Sequence, residues 1–374
     1  MDLYREMDSD RKELDRTGFL PAGFILNLFL HKINWSYTKN EVWLPRHIIK
    51  LMVALADPQK KDRILDPACG TGGFLLAAGE HVVARQHSGG IDEDGFPYPD
   101  IDGNVRYDFL SSSQGIERSE KLHRLAVYNL LLNGVKTPLI SKNDFLARMP
   151  LEKFDLVLAN PPFGLKIDFR RHDSRFNTHY SDVLFIEQIS ENLMTGEGRA
   201  VVIMPENFLT NQSNSYVACR EYLIREHTLE AVISLPSGIF RPHTNGKSAI
   251  LIFRRQSIDQ PYPVWFADLQ SDGYSLDSNR RRMKGNPLPE MVKIFQERNP
   301  SREKDEDDTS FFVSSEEIER NKWQLSYTLY RTEPYIKQHL RPPGQLMDEI
   351  LRLEQGIIED LQKLKNIAPW IGSN

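Results

Sequence analysis

Asn160-Pro161-Pro162-Phe163-Gly164 combines residue types that suit chemistry on an amino group. It follows Phe154-Asp155-Leu156-Val157-Leu158-Ala159, a mostly apolar run that reads as a buried strand, so the loop falls at a strand's carboxyl end. In open α/β sheets ligands bind at that edge. Two consecutive prolines fix φ and remove two backbone donors, which stiffens the loop and leaves its carbonyls pointing outward. An amino group conjugated to a heteroaromatic ring is a poor nucleophile until acceptors engage its hydrogens and draw the nitrogen toward tetrahedral geometry. The Asn160 side-chain oxygen and the Pro161 carbonyl are two such acceptors, Pro162 completes the rigid turn, and Phe163 offers a flat face for a base. The competing reading is a stiff turn after a core strand, and other parts of the chain weigh against it.

The second informative stretch is Arg63-Ile64-Leu65-Asp66-Pro67-Ala68-Cys69-Gly70-Thr71-Gly72-Gly73-Phe74-Leu75-Leu76. It reads as a short strand, an acid, a glycine-rich turn and an apolar helix, a layout that cradles nucleotides. Gly70 and Gly72 let the backbone approach a ligand, but the third glycine of a dinucleotide fingerprint would fall at position 75, which is Leu, so a pyrophosphate cofactor is disfavoured. Glu117, at the end of a second strand, is placed to accept from both ribose hydroxyls of an adenosine-containing cofactor. Asn143-Asp144-Phe145 follows another turn and is placed to hold an adenine.

Elements to position these residues follow from the pattern. Leu44-Pro45-Arg46-His47 opens a helix with apolar residues at Ile48, Ile49, Met52 and Val53; His47 reads as a surface or capping histidine. A helix from about Glu120 to Asn133 is stopped by Gly134, and an apolar helix from about Val183 to Met194 is stopped by Gly196. Arg199 to Pro205, Leu229 to Leu235 and Ser248 to Phe253 read as further strands, giving an α/β, Rossmann-like, doubly wound sheet. Residues 1–43, with the apolar patch Phe24 to Leu30, read as a short N-terminal helical segment. Ser88 to Asn104 reads as a surface insertion; Asp92, Asp94 and Asp102 lack EF-hand spacing and its terminal glutamate, so no metal is expected.

A 374-residue chain with 40% hydrophobic residues can bury a large core. Its net charge of -5 and pI near 6.1 argue against a protein that grips nucleic acid unaided. The basic stretch of residues 166–180, with Lys166, Arg170, Arg171 and Arg175, and the run Arg280-Arg281-Arg282-Met283-Lys284 are each placed for phosphate contact or are solvated loops. Cys69 and Cys219 stand far apart and outside any C-x-x-C, which points to a reducing compartment. With no long uncharged run and no signal peptide, a cytoplasmic protein is expected. Leu346, Ile350, Leu353, Ile357, Leu361 and Leu364 recur at three- and four-residue spacing, an apolar seam on a polar C-terminal helix that either folds back on the main domain or packs on a partner.

Leu44-Pro45-Arg46-His47, Asp66 to Leu75, Asn160 to Gly164, Leu235-Pro236-Ser237-Gly238-Ile239-Phe240 with Gly246-Lys247-Ser248, and Val264-Trp265-Phe266 with Asp272-Gly273-Tyr274-Ser275-Leu276 together resemble one family. It is that of the adenine-specific DNA methyltransferases forming the modification subunit of type I restriction-modification systems. The resemblance implies a seven-stranded sheet over residues 44–340, with S-adenosylmethionine as cofactor. It puts Asp66, Pro67, Ala68, Gly70, Thr71, Gly72, Gly73, Phe74, Glu117, Asp144, Phe145 and Pro45 on that cofactor, and Asn160, Pro161, Pro162 and Phe163 on a flipped adenine. It further implies DNA, a separate specificity subunit and a restriction (nuclease) subunit as partners, two copies per complex, and a partner-binding helix over residues 341–374. The family has an aromatic-Thr-Pro where this chain has Trp43-Leu44-Pro45, and a larger N-terminal helical domain. Two other classes stay open: a methyltransferase acting on RNA or protein glutamine, and a non-catalytic cofactor-binding assembly subunit.

Overall fold

The computed structural model describes residues 44–99, 107–148, 150–167, 174–193, 196, 198–241, 245–256, 258–277, 280–301, 309–331 and 343–367. The expected N-terminal segment, Asp102, Arg170 and Arg171 lie outside them.

The centre of the fold is a sheet of parallel strands joined by helices. β1 (Ile64–Asp66) leads through the glycine-rich turn into α2 (Gly73–Gln86), and α1 (Arg46–Ala56) precedes it. A hairpin of β2 (Ser88–Ile91) and β3 (Pro97–Pro99) follows, then β4 (Gln114–Glu117), α3 (Glu120–Leu132) and β5 (Leu139–Lys142). The chain then crosses to the other side of β1 with β6 (Leu156–Ala159), α4 (Ser181–Asn192), β7 (Arg199–Pro205), α5 (Glu206–Thr210) and α6 (Asn214–Arg225). It continues with β8 (Thr228–Ser234), β9 (Ser248–Arg254), β10 (Pro263–Asp268), α7 (Leu288–Gln296), β11 (Ser310–Ser314), α8 (Ser315–Arg320) and α9 (Tyr327–Tyr330).

Among the described residues the sheet has nine strands, in the order β11-β10-β8-β9-β7-β6-β1-β4-β5. β1, β4, β5, β6 and β7 run parallel, and β9 is inserted antiparallel between β7 and β8. The expected seven strands are thus extended by two. The reason is local: Val264-Trp265-Phe266-Ala267 is an apolar run that pairs with β8, and β11 covers it with Phe311 and Val313 turned inward.

Alternation along the strands divides the core. Leu65, Val157, Ala159 and Val202 face a cluster with α4 and α6, while Ile64, Leu156, Leu158 and Ile203 face one with α1, α2 and α7. A sheet buried on both faces needs continuous apolar strands, which is why β6 is buried at every position. Because the chain turns from one side of β1 to the other, the carboxyl ends of β1 and β6 form the switch point where such sheets bind ligands.

The Ser88 to Pro99 stretch is not a loose insertion: Asp94 and Phe96 are buried, and Asp92 Oδ1 accepts from the Phe96 amide at 2.9 Å. Residues Thr332–Asn374 form a separate compact unit. Within it α10 (Pro343–Ile367) is a single helix whose Ile350, Leu353, Ile357 and Leu361 are 62%, 64%, 61% and 59% exposed. No helix among the described residues is long and apolar enough to cross a membrane.

Gly115 shows how tightly the sheet is fitted to the glycine-rich turn. A Cβ at this position would lie 2.6 Å from Ile140 Cδ1 and 2.9 Å from Cys69 Sγ. Gly115→Val should cost about 1–3 kcal/mol by overpacking and displace the turn, read as a lower denaturation midpoint. An unchanged midpoint would show that the Cys69 turn yields freely.

Candidate active site

Asp66 ends β1, and its Oδ1 accepts from the Ala68 amide at 3.2 Å, which starts the turn. Gly70 and Gly72 have φ of 53° and 79°, left-handed values that favour glycine, and the Gly72 amide closes on the Cys69 carbonyl at 2.7 Å. Three contacts fix the turn from outside. The Cys69 amide donates to the Ile116 carbonyl at 3.0 Å, Asn129 Nδ2 donates to the Thr71 carbonyl at 2.9 Å, and the Gly70 amide donates to Glu117 Oε2 at 3.0 Å. Glu117 Oε1 accepts from the Ser119 amide at 2.6 Å, so this carboxylate knits two loops together. Asn143 is tied to the same place by its amide on the Glu117 carbonyl at 3.1 Å.

Across the switch point, the Asn160 loop is held by the first residue of α4. Ser181, fully buried, donates its hydroxyl to the Pro162 carbonyl at 2.9 Å, accepts from the Leu165 amide at 3.1 Å, and donates its own amide to the Leu165 carbonyl at 2.9 Å. Phe163 is partly buried and meets Phe240 edge-on, with centroids 6.3 Å apart.

These loops enclose one cavity of about 240 Å³. Its walls include Asp66, Pro67, Ala68, Gly70, Thr71, Gly73 and Phe74 from the turn, Glu117, Asp144 and Phe145 from the neighbouring strands, and Asn160, Pro161, Pro162 and Phe163. Two residues expected on the cofactor do not line it. Gly72 is buried beneath, where a Cβ would meet Leu130, and it sets the start of α2. Pro45 caps α1 with its carbonyl accepting from the amides of Ile48 and Ile49, and the wall there is Leu44 and Ile49. Sequence reasoning missed Ile49, Leu165, Ile167, Phe185 and the support from Ser181; the one signal was a serine at the head of an otherwise apolar helix.

Polar chemistry concentrates at Asp66. It is 1% exposed, and its Oδ2 has no hydrogen-bond partner. Burial pushes its carboxyl up from 3.8 to about 8, opposed by the Ala68 amide and reinforced by the charge of Glu117. A buried, half-satisfied carboxyl on a cavity wall is costly unless a ligand completes it, and a cation would do so best.

A model of the N-6 DNA methylases matches residues 23–339. The chain belongs to the N-6 DNA methylase family. Within the family it is similar to the type I restriction enzyme EcoEI methylase subunit of Escherichia coli, 29% identical over 65% of this chain and 48% of that protein. It is also similar to the type II restriction enzyme and methyltransferase RM.BcgI of Heyndrickxia coagulans, 30% identical over 62% of this chain and 34% of that protein. The chain thus spans about half the length of the first and about a third of the second. The fold is shared with the type I methyltransferase subunit of Streptococcus thermophilus, at a TM-score of 0.64 and 22% identity over 83% of this chain and 65% of that one. The EcoKI M protein matches at 0.61 and 22% identity, over 94% and 76%.

Other polar residues turn out to be engaged elsewhere. His47 is neither a surface nor a capping residue: it is buried, its Nε2 lies 2.9 Å from Asp272 Oδ2, and its ring stacks on Tyr274. Asp92 and Asp94 both accept from Lys50. In the basic run, Arg280 is paired with Asp272 and Arg282 with Glu93, while Arg281, Arg282 and Lys284 are exposed. Arg175 lies over the Tyr222 ring at 4.3 Å and pairs with Glu226 at 3.4 Å.

Asp66 gives a pH test. Folded, it keeps its proton up to about pH 8; unfolded, it loses it near about pH 4. Between those limits the folded state binds the extra proton, so ligand-free stability should fall as pH rises through the window. Asp66→Asn should flatten that fall when urea midpoints are compared across it. Parallel profiles for the two proteins would mean that Asp66 is already ionised in the fold.

Proposed function

We propose that this chain transfers a methyl group from S-adenosylmethionine to the exocyclic amino group of adenine in DNA, as the modification subunit of a restriction-modification complex. One observation carries the reading: the glycine-rich turn with its orphaned Asp66 oxygen and the Asn160 to Phe163 loop share a single cavity at the switch point.

The cavity residues fit the cofactor. Asp66 supplies an unsatisfied carboxyl oxygen for the cationic amino end, and the open backbone at Gly70 leaves space beside it, with nothing within 4 Å of a Cβ there. Glu117 takes the ribose hydroxyls on a carboxylate that also holds the Gly70 and Ser119 amides. Asp144 and Phe145 hold the adenine end. Bound there, the cofactor supplies a methyl group on a sulfonium, whose departing thioether needs no further activation.

The chain's own task is orientation. Asn160 Oδ1 and the Pro161 carbonyl accept from the amino hydrogens of the target base, while Phe163 stacks on its ring with Phe240 behind it. Fixing these acceptors in advance spares reorganisation at the moment of transfer. Ser181 does this for the loop by holding Pro162. Taking the base out of the duplex costs a few kcal/mol, which the stacking face partly returns.

Site choice falls to a separate specificity subunit, with a restriction subunit and two copies of this chain completing the complex. Support comes from α10, whose exposed apolar residues suit packing on partner helices. It comes also from the basic run, two of whose four cations are tied to acids within the fold.

Asn160→Ala should abolish methyl transfer and leave S-adenosylmethionine binding within about twofold, since a lost neutral hydrogen bond to the base contributes nothing to the cofactor. Cofactor affinity falling as far as activity would refute the assigned role. Tracing labelled methyl groups onto DNA, RNA and protein decides the substrate class.

Deleting residues 343–374 should preserve cofactor binding and remove sequence-specific methylation by the assembled complex. Site-specific methylation by the purified chain alone would overturn the dependence on a partner.

A further inference from the structure

α1 begins badly by its own sequence. Its cap, Pro45, makes no side-chain hydrogen bond, and its first turn holds no acid. Instead it opens on Arg46 and His47 with Lys50 just beyond, and the dipole disfavours positive charge at this end of a helix. Yet this turn also carries Leu44 and Ile49, which form a wall of the cavity; Ile49 Cδ1 sits 3.1 Å from where a Cβ on Gly73 would be. Something outside the helix has to fix it.

That something is the segment following β10. Asp272, fully buried, takes His47 at 2.9 Å and is paired with Arg280. Tyr274 lies flat on the His47 ring at 4.4 Å and donates its hydroxyl to Asp94 Oδ1 at 3.1 Å, while Asp94 Oδ2 accepts from Lys50 at 3.0 Å. Arg46 is met separately by Glu80 at 3.1 Å. Arg46, His47 and Lys50 are thus each met by an acid from another element. The same segment reaches the loop behind the opposite wall: the Leu276 carbonyl accepts from Arg241 and lies 3.3 Å from a Cβ built on Gly238, in the loop whose Phe240 meets the wall residue Phe163.

We propose that residues 272–277 with Arg280 form a brace between the two walls of the site, in which Asp272 and Tyr274 are positioning residues for the cofactor wall. The inference rests on the reading of the cavity as the S-adenosylmethionine site. Neither residue touches the cavity; they act through His47 and Lys50 on Leu44 and Ile49. Asp272-Gly273-Tyr274-Ser275-Leu276 thereby gains a role: its acid and its aromatic ring grip α1, and its last carbonyl grips the base-side loop.

The test is calorimetry of S-adenosylmethionine binding to the full chain, with hydrogen exchange read in parallel without ligand. Asp272→Asn should raise the dissociation constant roughly tenfold, the scale on which residues without ligand contact act, and speed exchange of the Ile48, Ile49 and Lys50 amides. Tyr274→Phe keeps the stacked ring, removes the bond to Asp94, and should show the same two changes at smaller size. Glu230→Gln serves as control: it breaks a partly buried pair with Arg254 and Arg298 and should lower thermal stability without moving the dissociation constant. Asp272→Asn and Tyr274→Phe binding like wild type would overturn the brace while leaving the cofactor reading intact. Should Asp272→Asn not fold, Tyr274→Phe decides alone. Wild-type protein that takes up no S-adenosylmethionine would overturn the proposed function, and the brace with it.

Discussion

The parallel register of β4, β1 and β6 is the constraint on which the site depends. Leu65 lies opposite Val157, so Asp66 is level with Leu158 and Asn160 stands two residues further along. On the other side Asp66 lies opposite Gly115, and Glu117 likewise stands two residues further. With about 3.3 Å per residue and about 4.8 Å between strands, three polar groups from distant parts of the chain converge within one ligand's length. The next pairing, Glu117 opposite Lys142, delivers Asn143 and Asp144 to the same edge. A register slip of one residue would turn each of these groups to the other face. The fully apolar β6 and the glycine at 115 guard against that slip.

Satisfying that register puts two acids close together in a poorly solvated place. Burial, reinforced by the charge of Glu117, pushes Asp66 toward its neutral form, and its Oδ2 has no hydrogen-bond partner, whereas Glu117 accepts from the amides of Gly70 and Ser119. The two carboxyls thus differ in environment rather than in residue chemistry, one serving as a structural acceptor and the other storing an unmet demand for a positive partner. The cost of that demand is borne by the same sheet that supplies the register.

Part of what depended on local pattern was readable before the structure, though the hairpin of β2 and β3 and the helices α6 and α7 were not. Apolar runs ended by Gly or Pro marked β1 and β6 and the loops after them, helical spacing marked α1 and α10, and stop glycines marked the ends of α3 and α4. The rest of what was not readable depended on partners remote in sequence. His47 looked like a surface residue because its partner Asp272 is 225 residues away. Ser181 drew no reading at all, since its hydroxyl's purpose appears only once Pro162 is beside it. β11 was hidden for a similar reason: a short edge strand carries little periodicity and declares itself only by pairing, here with β10. The wall at Leu44 and Ile49 belongs with these, for the first turn of a helix does not announce which of its faces meets a ligand.

The fate of the arginines follows the same logic and bears on the proposed action on DNA. Read linearly, 280–284 and 166–180 are basic stretches next to functional loops. Folded, Arg280 neutralises a buried carboxylate, Arg282 meets Glu93, and Arg175 lies on Tyr222 beside Glu226. Each such pairing takes a cation away from phosphate, and a chain of net charge -5 has little to spare. The apolar surface, by contrast, is left uncovered on α10, where hydrophobic side chains stand about 60% exposed. Cations are paired with acids of the same fold and apolar surface is left outward on α10, the reverse of what a self-sufficient nucleic-acid binder requires. Such a distribution suits a protein that brings the chemistry and relies on a companion for the grip.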